Sequence, residues 1–205
     1  MLIRKVLNFS AIGLLLVASI SLATPAYYRV KAELAQILLI HAWQATLANP
    51  GVKHKPWDWA DTWPVAKMTI LKKEQLSDKA SLDYLWEKSF IVLADSSGES
   101  LAFAPGMMTP QILPGDSGHS FIAAHRDTQF SILQHLNTLD HIIVERQDGQ
   151  QFNFEVDEIQ IVDINKVSPV YSLDGNRLTL VTCYPFDSSD QNPQFRFLVT
   201  ANLVN

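Results

Sequence analysis

From Val65 to the carboxy terminus the chain reads as short β-rich runs separated by turns, a pattern that points to a sandwich or a barrel. The candidate strands are Ala66 to Leu71, Phe90 to Ala94, Ser120 to Ala124, His141 to Arg146, Gln151 to Val156, Ile159 to Ile164, Leu178 to Cys183 and Phe195 to Ala201. Each has the usual strand length. Gln147-Asp148-Gly149-Gln150 separates two of them and signals a hairpin, because Asp-Gly tolerates positive φ. Asp174-Gly175-Asn176 is another tight turn. One short helix is expected over Gln129 to Leu136, and there is no internal repeat or low-complexity tract.

The 205 residues suffice for one full core plus an appended segment. With 18% charged and 47% apolar residues, the chain is a poor candidate for long disordered tracts. A net charge of −5 without a basic face argues against a nucleic-acid partner.

The amino-terminal third is different in kind. Arg4 and Lys5 precede Val6 to Thr24, which carries no charge. About 19 helical residues rising roughly 1.5 Å each would span a hydrocarbon layer of roughly 30 Å. Ser21-Leu22-Ala23 also resembles a cleavage site for a signal peptide, but the apolar run is longer than the usual core of one, which favours an uncleaved anchor. Arg4 and Lys5 would hold the amino terminus in the cytoplasm, against the opposing influence of Arg29 and Lys31. Thr24-Pro25 reads as a helix start. Val30, Leu34, Ile37, Leu38 and His41 then recur at helical spacing, until Asn49-Pro50-Gly51 ends the helix. That helix either packs on the domain or lies on a lipid surface. The stretch from Lys55 to Pro64 holds three tryptophans and two prolines and is expected to be an extended lead-in. Its tryptophans suit either a membrane interface or a cover over the core. The expected division is therefore residues 1–24 as anchor, 25–64 as helix and lead-in, and 65–205 as the β domain.

Three places could carry chemistry. Cys183 is the only cysteine, so it forms no intrachain disulfide, and no Cys/His cluster suggests zinc. It ends the β-branched run Leu178-Thr179-Leu180-Val181-Thr182, before a proline-containing loop, where a rigid backbone can present a nucleophile. His125 ends a second strand, after Ile122-Ala123-Ala124. Arg196 interrupts an apolar strand, and alternation sets it with Leu198 on the face opposite Phe195 and Phe197. Taken singly, each has a plain reading: a buried thiol, a surface histidine, an edge-strand charge. Together they form a coherent set. A thiolate attacks acyl carbons, an imidazole can stabilise it and then protonate a leaving amine, and a guanidinium can hold the developing oxyanion.

Thr179-Leu180-Val181-Thr182-Cys183 resembles the T-L-x-T-C signature of sortases. His125-Arg126-Asp127-Thr128 resembles their histidine segment, and Pro114-Gly115-Asp116-Ser117-Gly118 the turn before it. Arg196 matches their arginine, and the likeness runs from about Val65 to Val204. The tryptophan-rich lead-in and Cys183-Tyr184-Pro185-Phe186-Asp187 further resemble the Gram-negative (proteobacterial) subgroup, usually paired with one dedicated substrate.

The resemblance implies a mainly β fold: a sortase-like eight-stranded β-barrel with short helices, preceded by a transmembrane helix and a second helix. It implies catalysis by Cys183, His125 and Arg196, with Thr182 helping to order the bound peptide. The substrate would carry a C-terminal L-P-x-T-G-like signal followed by a hydrophobic segment and a basic tail. Cys183 would attack the Thr–Gly carbonyl, and an amine, from peptidoglycan or a protein, would resolve the thioester. The expected location is the inner membrane, by a single amino-terminal pass, with the catalytic domain facing the periplasm or exterior. No cofactor is assigned. Some sortases bind calcium, but Glu145, Asp148, Glu155, Asp157 and Glu158 read equally well as a solvated hairpin. Two other functions fit: a hydrolase, in which water resolves the thioester, and a non-catalytic envelope scaffold whose barrel binds a partner.

Overall fold

The computed structural model describes residues 30–73, 84–166, 175–190 and 193–204, with Ser21 and Tyr27. The strands are β1 (Pro64–Lys73), β2 (Tyr84–Leu93), β3 (Gly106–Met107), β4 (Gly118–Ala123), β5 (His141–Arg146), β6 (Gln151–Asp163), β7 (Asn176–Tyr184) and β8 (Phe195–Val204). They close a barrel in the order β1-β2-β3-β4-β7-β8-β6-β5. All pairings are antiparallel except β2 with β3 and β4 with β7.

Eight strands were expected, but the set differs. Gln151 to Val156 and Ile159 to Ile164 belong to one continuous strand, β6, whose register against β8 shifts between Val156 and Glu158. Such a bulge bends a strand and slips its alternation by one residue, so the sequence reads as two strands. β3 has no counterpart among the expected strands, since two residues, one of them glycine, carry no periodic signal. The expected helix over Gln129 to Leu136 is a 3-10 helix, Gln129–His135.

Alternation explains the core. Ala66, Met68 and Ile70 of β1 point inward and meet Ile122, Ile142, Val144, Phe154, Leu178, Leu180, Val199 and Ala201. The 3-10 helix adds Phe130 and Leu133, and Phe130 meets Phe90 edge-on at 6.3 Å. Fully burying a side chain of this size contributes about 1.5–3 kcal/mol. One buried polar knot interrupts the apolar interior. The Asp140 carboxylate accepts from Lys72 Nζ at 3.0 Å, from the Lys73 amide at 2.8 Å and from the Asn137 amide at 2.7 Å.

The chain divides into two compact units, Met1–Leu38 and Leu39–Asn205. A helix, α1, runs over residues 30–48. Within the second unit, Leu39 and Trp43 of α1 form a cluster with Ile91, Leu93 and Ala104, covering the outer side of β2. Residues 53–63 carry no regular helix or strand. Trp57 meets Phe103 edge-on at 4.9 Å, and Lys53 Nζ lies 3.9 Å from the centre of the Trp63 ring. Trp59, by contrast, is 82% exposed. Among the described residues, no helix is long and apolar enough to cross a membrane. The expected anchor, Val6 to Thr24, lies outside those residues apart from Ser21.

A second short helix, α2 (Gly98–Leu101), begins at Ser97, whose side chain accepts from the Ser100 amide. The backbone after it passes so close to Asp95 that a Cβ on Gly106 would lie 1.9 Å from the Asp95 carbonyl oxygen. The obstacle is backbone and cannot rotate away. Gly106→Ala should therefore destabilise the fold by about 1–3 kcal/mol or more, read as a lowered midpoint of thermal unfolding.

Candidate active site

β7 brings the thiol to the surface. Leu178 and Leu180 point into the core, so the alternate residues Thr179, Val181 and Cys183 lie on the outward face. Cys183 is partly buried. Its neighbour Thr182 continues the inward set, is 2% exposed, and donates its hydroxyl hydrogen to the Ala124 carbonyl at 2.8 Å. The side chain expected to order a bound peptide thus faces the interior and ties β7 to the end of β4.

That tie sets the histidine. β4 and β7 run parallel with Ala123 opposite Val181, and the Ala124 amide donates to the Val181 carbonyl at 3.2 Å. Two residues beyond the last registered pair lie His125 on one strand and Cys183 on the other. His125 is exposed, and its carbonyl accepts from the Phe130 amide at 3.0 Å, which roots it in the 3-10 helix.

Arg196 comes from the other side. β8 pairs antiparallel with β7, and Cys183 is the direct partner of Arg196. Directly paired residues project to the same face. Val199 and Ala201 point inward, so Arg196, Leu198 and Thr200 share the outward face with Cys183. The guanidinium is partly buried and donates through Nη1 to the carbonyls of Pro193 and Phe195. The three expected residues thus lie on, or just past the end of, three neighbouring strands, with β7 between β4 and β8.

The same registers define rows that sequence reasoning did not assign. Next to the site, Ala123, Val181 and Leu198 cross β4, β7 and β8 as an apolar floor. They sit two residues from His125, Cys183 and Arg196, so alternation was the signal that could have found them. Phe121, Thr179 and Thr200 follow, then His119, Arg177 and Asn202. His119 Nε2 lies 2.7 Å from Thr179 Oγ1, which lies 2.8 Å from Thr200 Oγ1.

Burial holds the His119 imidazole below its ordinary value of 6.5, and the Arg177 guanidinium adds to the effect. Such a group stabilises the fold in its neutral form, because the unfolded chain takes up the proton first as pH falls. Stability should therefore be fully present above about 6.5 and be lost as pH falls through the lower folded value. His119→Gln should flatten this part of the profile, measured as urea midpoints on either side of that range.

The acidic residues considered for calcium are otherwise occupied or dispersed: Glu155 faces His141 at 3.7 Å and Glu158 accepts from Gln160. Among the described residues, no three His, Cys, Asp or Glu side chains converge on a point that could hold a metal ion.

A family model described as the sortase domain matches residues 85–204, which include Cys183, His125 and Arg196. Among curated proteins none matches. The solved structures that this chain resembles include these three. Sortase C1 from Streptococcus agalactiae is 26% identical over 58% of this chain and 62% of its own, with a TM-score of 0.50. This chain therefore spans less than two thirds of that relative. The catalytic domain of B. anthracis SrtD is 26% identical over 69% of this chain and 88% of its own, also at 0.50. A lid mutant of sortase A from Corynebacterium diphtheriae is 20% identical over 88% of this chain and 95% of its own, at 0.55, a likeness of fold.

Proposed function

The chain belongs to the sortase family, whose members are in general cysteine transpeptidases that anchor proteins to the cell wall, and from that premise we propose a specific reaction for it. The substrate is a protein with an L-P-x-T-G-like C-terminal sorting signal, cut between Thr and Gly. The Cys183 thiolate attacks the threonine carbonyl, and the Arg196 guanidinium donates hydrogen bonds to the oxyanion that develops. His125 as imidazolium gives its proton to the departing glycine amine, leaving the threonine acyl group on sulfur. An incoming amine loses its proton to the neutral imidazole, attacks the thioester and expels the thiolate. An acyl group is thereby moved from one amine to another.

The observation that carries this reading is the pair of registers, Cys183 opposite Arg196, and Ala123, two residues before His125, opposite Val181, two residues before Cys183. They support a reading in which the nucleophile, the proton carrier and the oxyanion donor come from neighbouring strands. The Ala123-Val181-Leu198 floor supports an apolar leucine–proline portion beside the scissile bond. In this reading Thr182 acts by tying β7 to β4. The Gram-negative subgroup, the single amino-terminal anchor in the inner membrane and the peptidoglycan or protein acceptor belong to the same proposal.

The test uses the full chain in detergent with an L-P-x-T-G-type peptide, and reads product masses with and without an added amine. An amine adduct that replaces the acid product supports acyl transfer. Acid product alone, unchanged by amine, would replace the transfer reading with hydrolysis.

A further inference from the structure

Arg126 directly follows His125, yet the chemistry above gives it no part. The residue is only 8% exposed, and a charge withdrawn from water needs close partners. The partners are backbone groups: Nη2 donates to the carbonyl oxygens of both Ser188 and Asp190. These carbonyls belong to the segment that leaves Cys183 at the end of β7 and returns to Arg196 on β8. The other side of this segment is held by rings, with Phe186 centred 6.2 Å from Tyr184 and 5.1 Å from Phe197.

The segment lies across from the 3-10 helix and the residues just before it. A cleft of about 390 Å³ opens between them, with Arg126, Asp127 and Ser131 on one wall and Tyr184, Phe186 and Asp187 on the other. The Arg126 guanidinium bridges these walls with charge-assisted hydrogen bonds, the stronger kind. It is rooted one residue from His125 and grips the chain a few residues past Cys183.

We propose that Arg126 is a positioning residue: a buried strap that holds the β7–β8 segment against the end of β4 and so keeps the Cys183 thiol beside His125. Its catalytic consequence rests on the thioester chemistry proposed above, whereas its hold on the segment does not. A displacement of ~1 Å in such a constellation can cost about 100-fold in rate. Lysine at this position brings a compact ammonium in place of the planar fork and should restore only part of the hold.

The test compares Arg126→Gln and Arg126→Lys in the full chain. In Arg126→Gln, amide hydrogen exchange over residues 186–190 should accelerate while exchange in the core strands stays slow. Alkylation of Cys183 by iodoacetamide at neutral pH should slow by about tenfold, and kcat for peptide cleavage should fall by at least that factor, more than KM changes. Arg126→Lys should lie between the two proteins in all three. If both variants melt earlier but keep wild-type segment exchange and wild-type or faster alkylation, Arg126 is merely structural and the proposal fails. Exchange and alkylation need no substrate, so they decide on Arg126 even if the wild-type chain cleaves no sorting peptide, a result that would instead remove the transpeptidase reading. Should Arg126→Gln fail to fold, the same comparisons with Arg126→Lys decide.

Discussion

Cys183→Ala should remove peptide cleavage almost entirely, a loss on the order of 10⁶-fold, while Arg196→Ala should retain a measurable remnant, with kcat down about 10²–10³-fold. The difference follows from what each side chain supplies. Without the thiol no acyl-enzyme can form, whereas without the guanidinium it forms over a higher barrier. Both side chains lie on the outward face of the barrel, apart from the inward residues of β7 and β8 that build its core, so unfolding midpoints should stay close to the wild type. Arg196→Lys should recover only part of the rate, because an ammonium lacks the planar fork that can hold an oxyanion and a carbonyl together. Because the two groups act in one step, the double variant should be no worse than Cys183→Ala. A kcat for Arg196→Ala within about tenfold of wild type would contradict the oxyanion role.

Asp140→Ala should be the most damaging single change to the fold away from the site, at about 3–5 kcal/mol. The Asp140 carboxylate is almost wholly enclosed and answers three donors, among them the Lys72 ammonium at 3.0 Å. Lys72 is itself buried near the end of β1, so deleting the carboxylate leaves an ammonium in the interior with its ion partner gone. The prediction is read as a urea midpoint that falls at unchanged slope. Replacing Lys72 and Asp140 together with apolar residues of similar size should recover much of the loss, because the cost of each single change is largely the stranded charge. A double variant no better than Asp140→Ala would show that the backbone bonds to Lys73 and Asn137, rather than the ion pair, carry the effect.

The candidate residues were more legible in the sequence than their arrangement in the fold. Cys183, His125 and Arg196 each have a plain reading alone and stand out as a set, on the segments that resemble sortases. Alternation along Phe195-Arg196-Phe197-Leu198 also predicted the face that Arg196 and Leu198 share, and the register confirms it. The neighbours of a strand are another matter. That β4 lies parallel beside β7 depends on closing the whole barrel, and no local pattern announces such a long-range pairing. Thr182 shows a signal passed over: Leu178 and Leu180 already set the inward parity, and Thr182 shares it. β3 and the bulge in β6 were hidden for the opposite reason, since a two-residue strand and a slipped alternation both erase the period that identifies strands. Arg126 reads as an ordinary charged loop residue, and only the folded chain brings the Ser188 and Asp190 carbonyls to it.

The central claim is a covalent one, that the acyl group passes through the sulfur of Cys183. The most direct measurement is therefore the intact mass of the protein, quenched in acid during turnover of an L-P-x-T-G-type peptide. The account predicts a species heavier by the acyl fragment and mapped to Cys183, present in the wild-type chain and discharged by an added amine. Turnover without any such species, or an adduct that persists in Cys183→Ala, would contradict it.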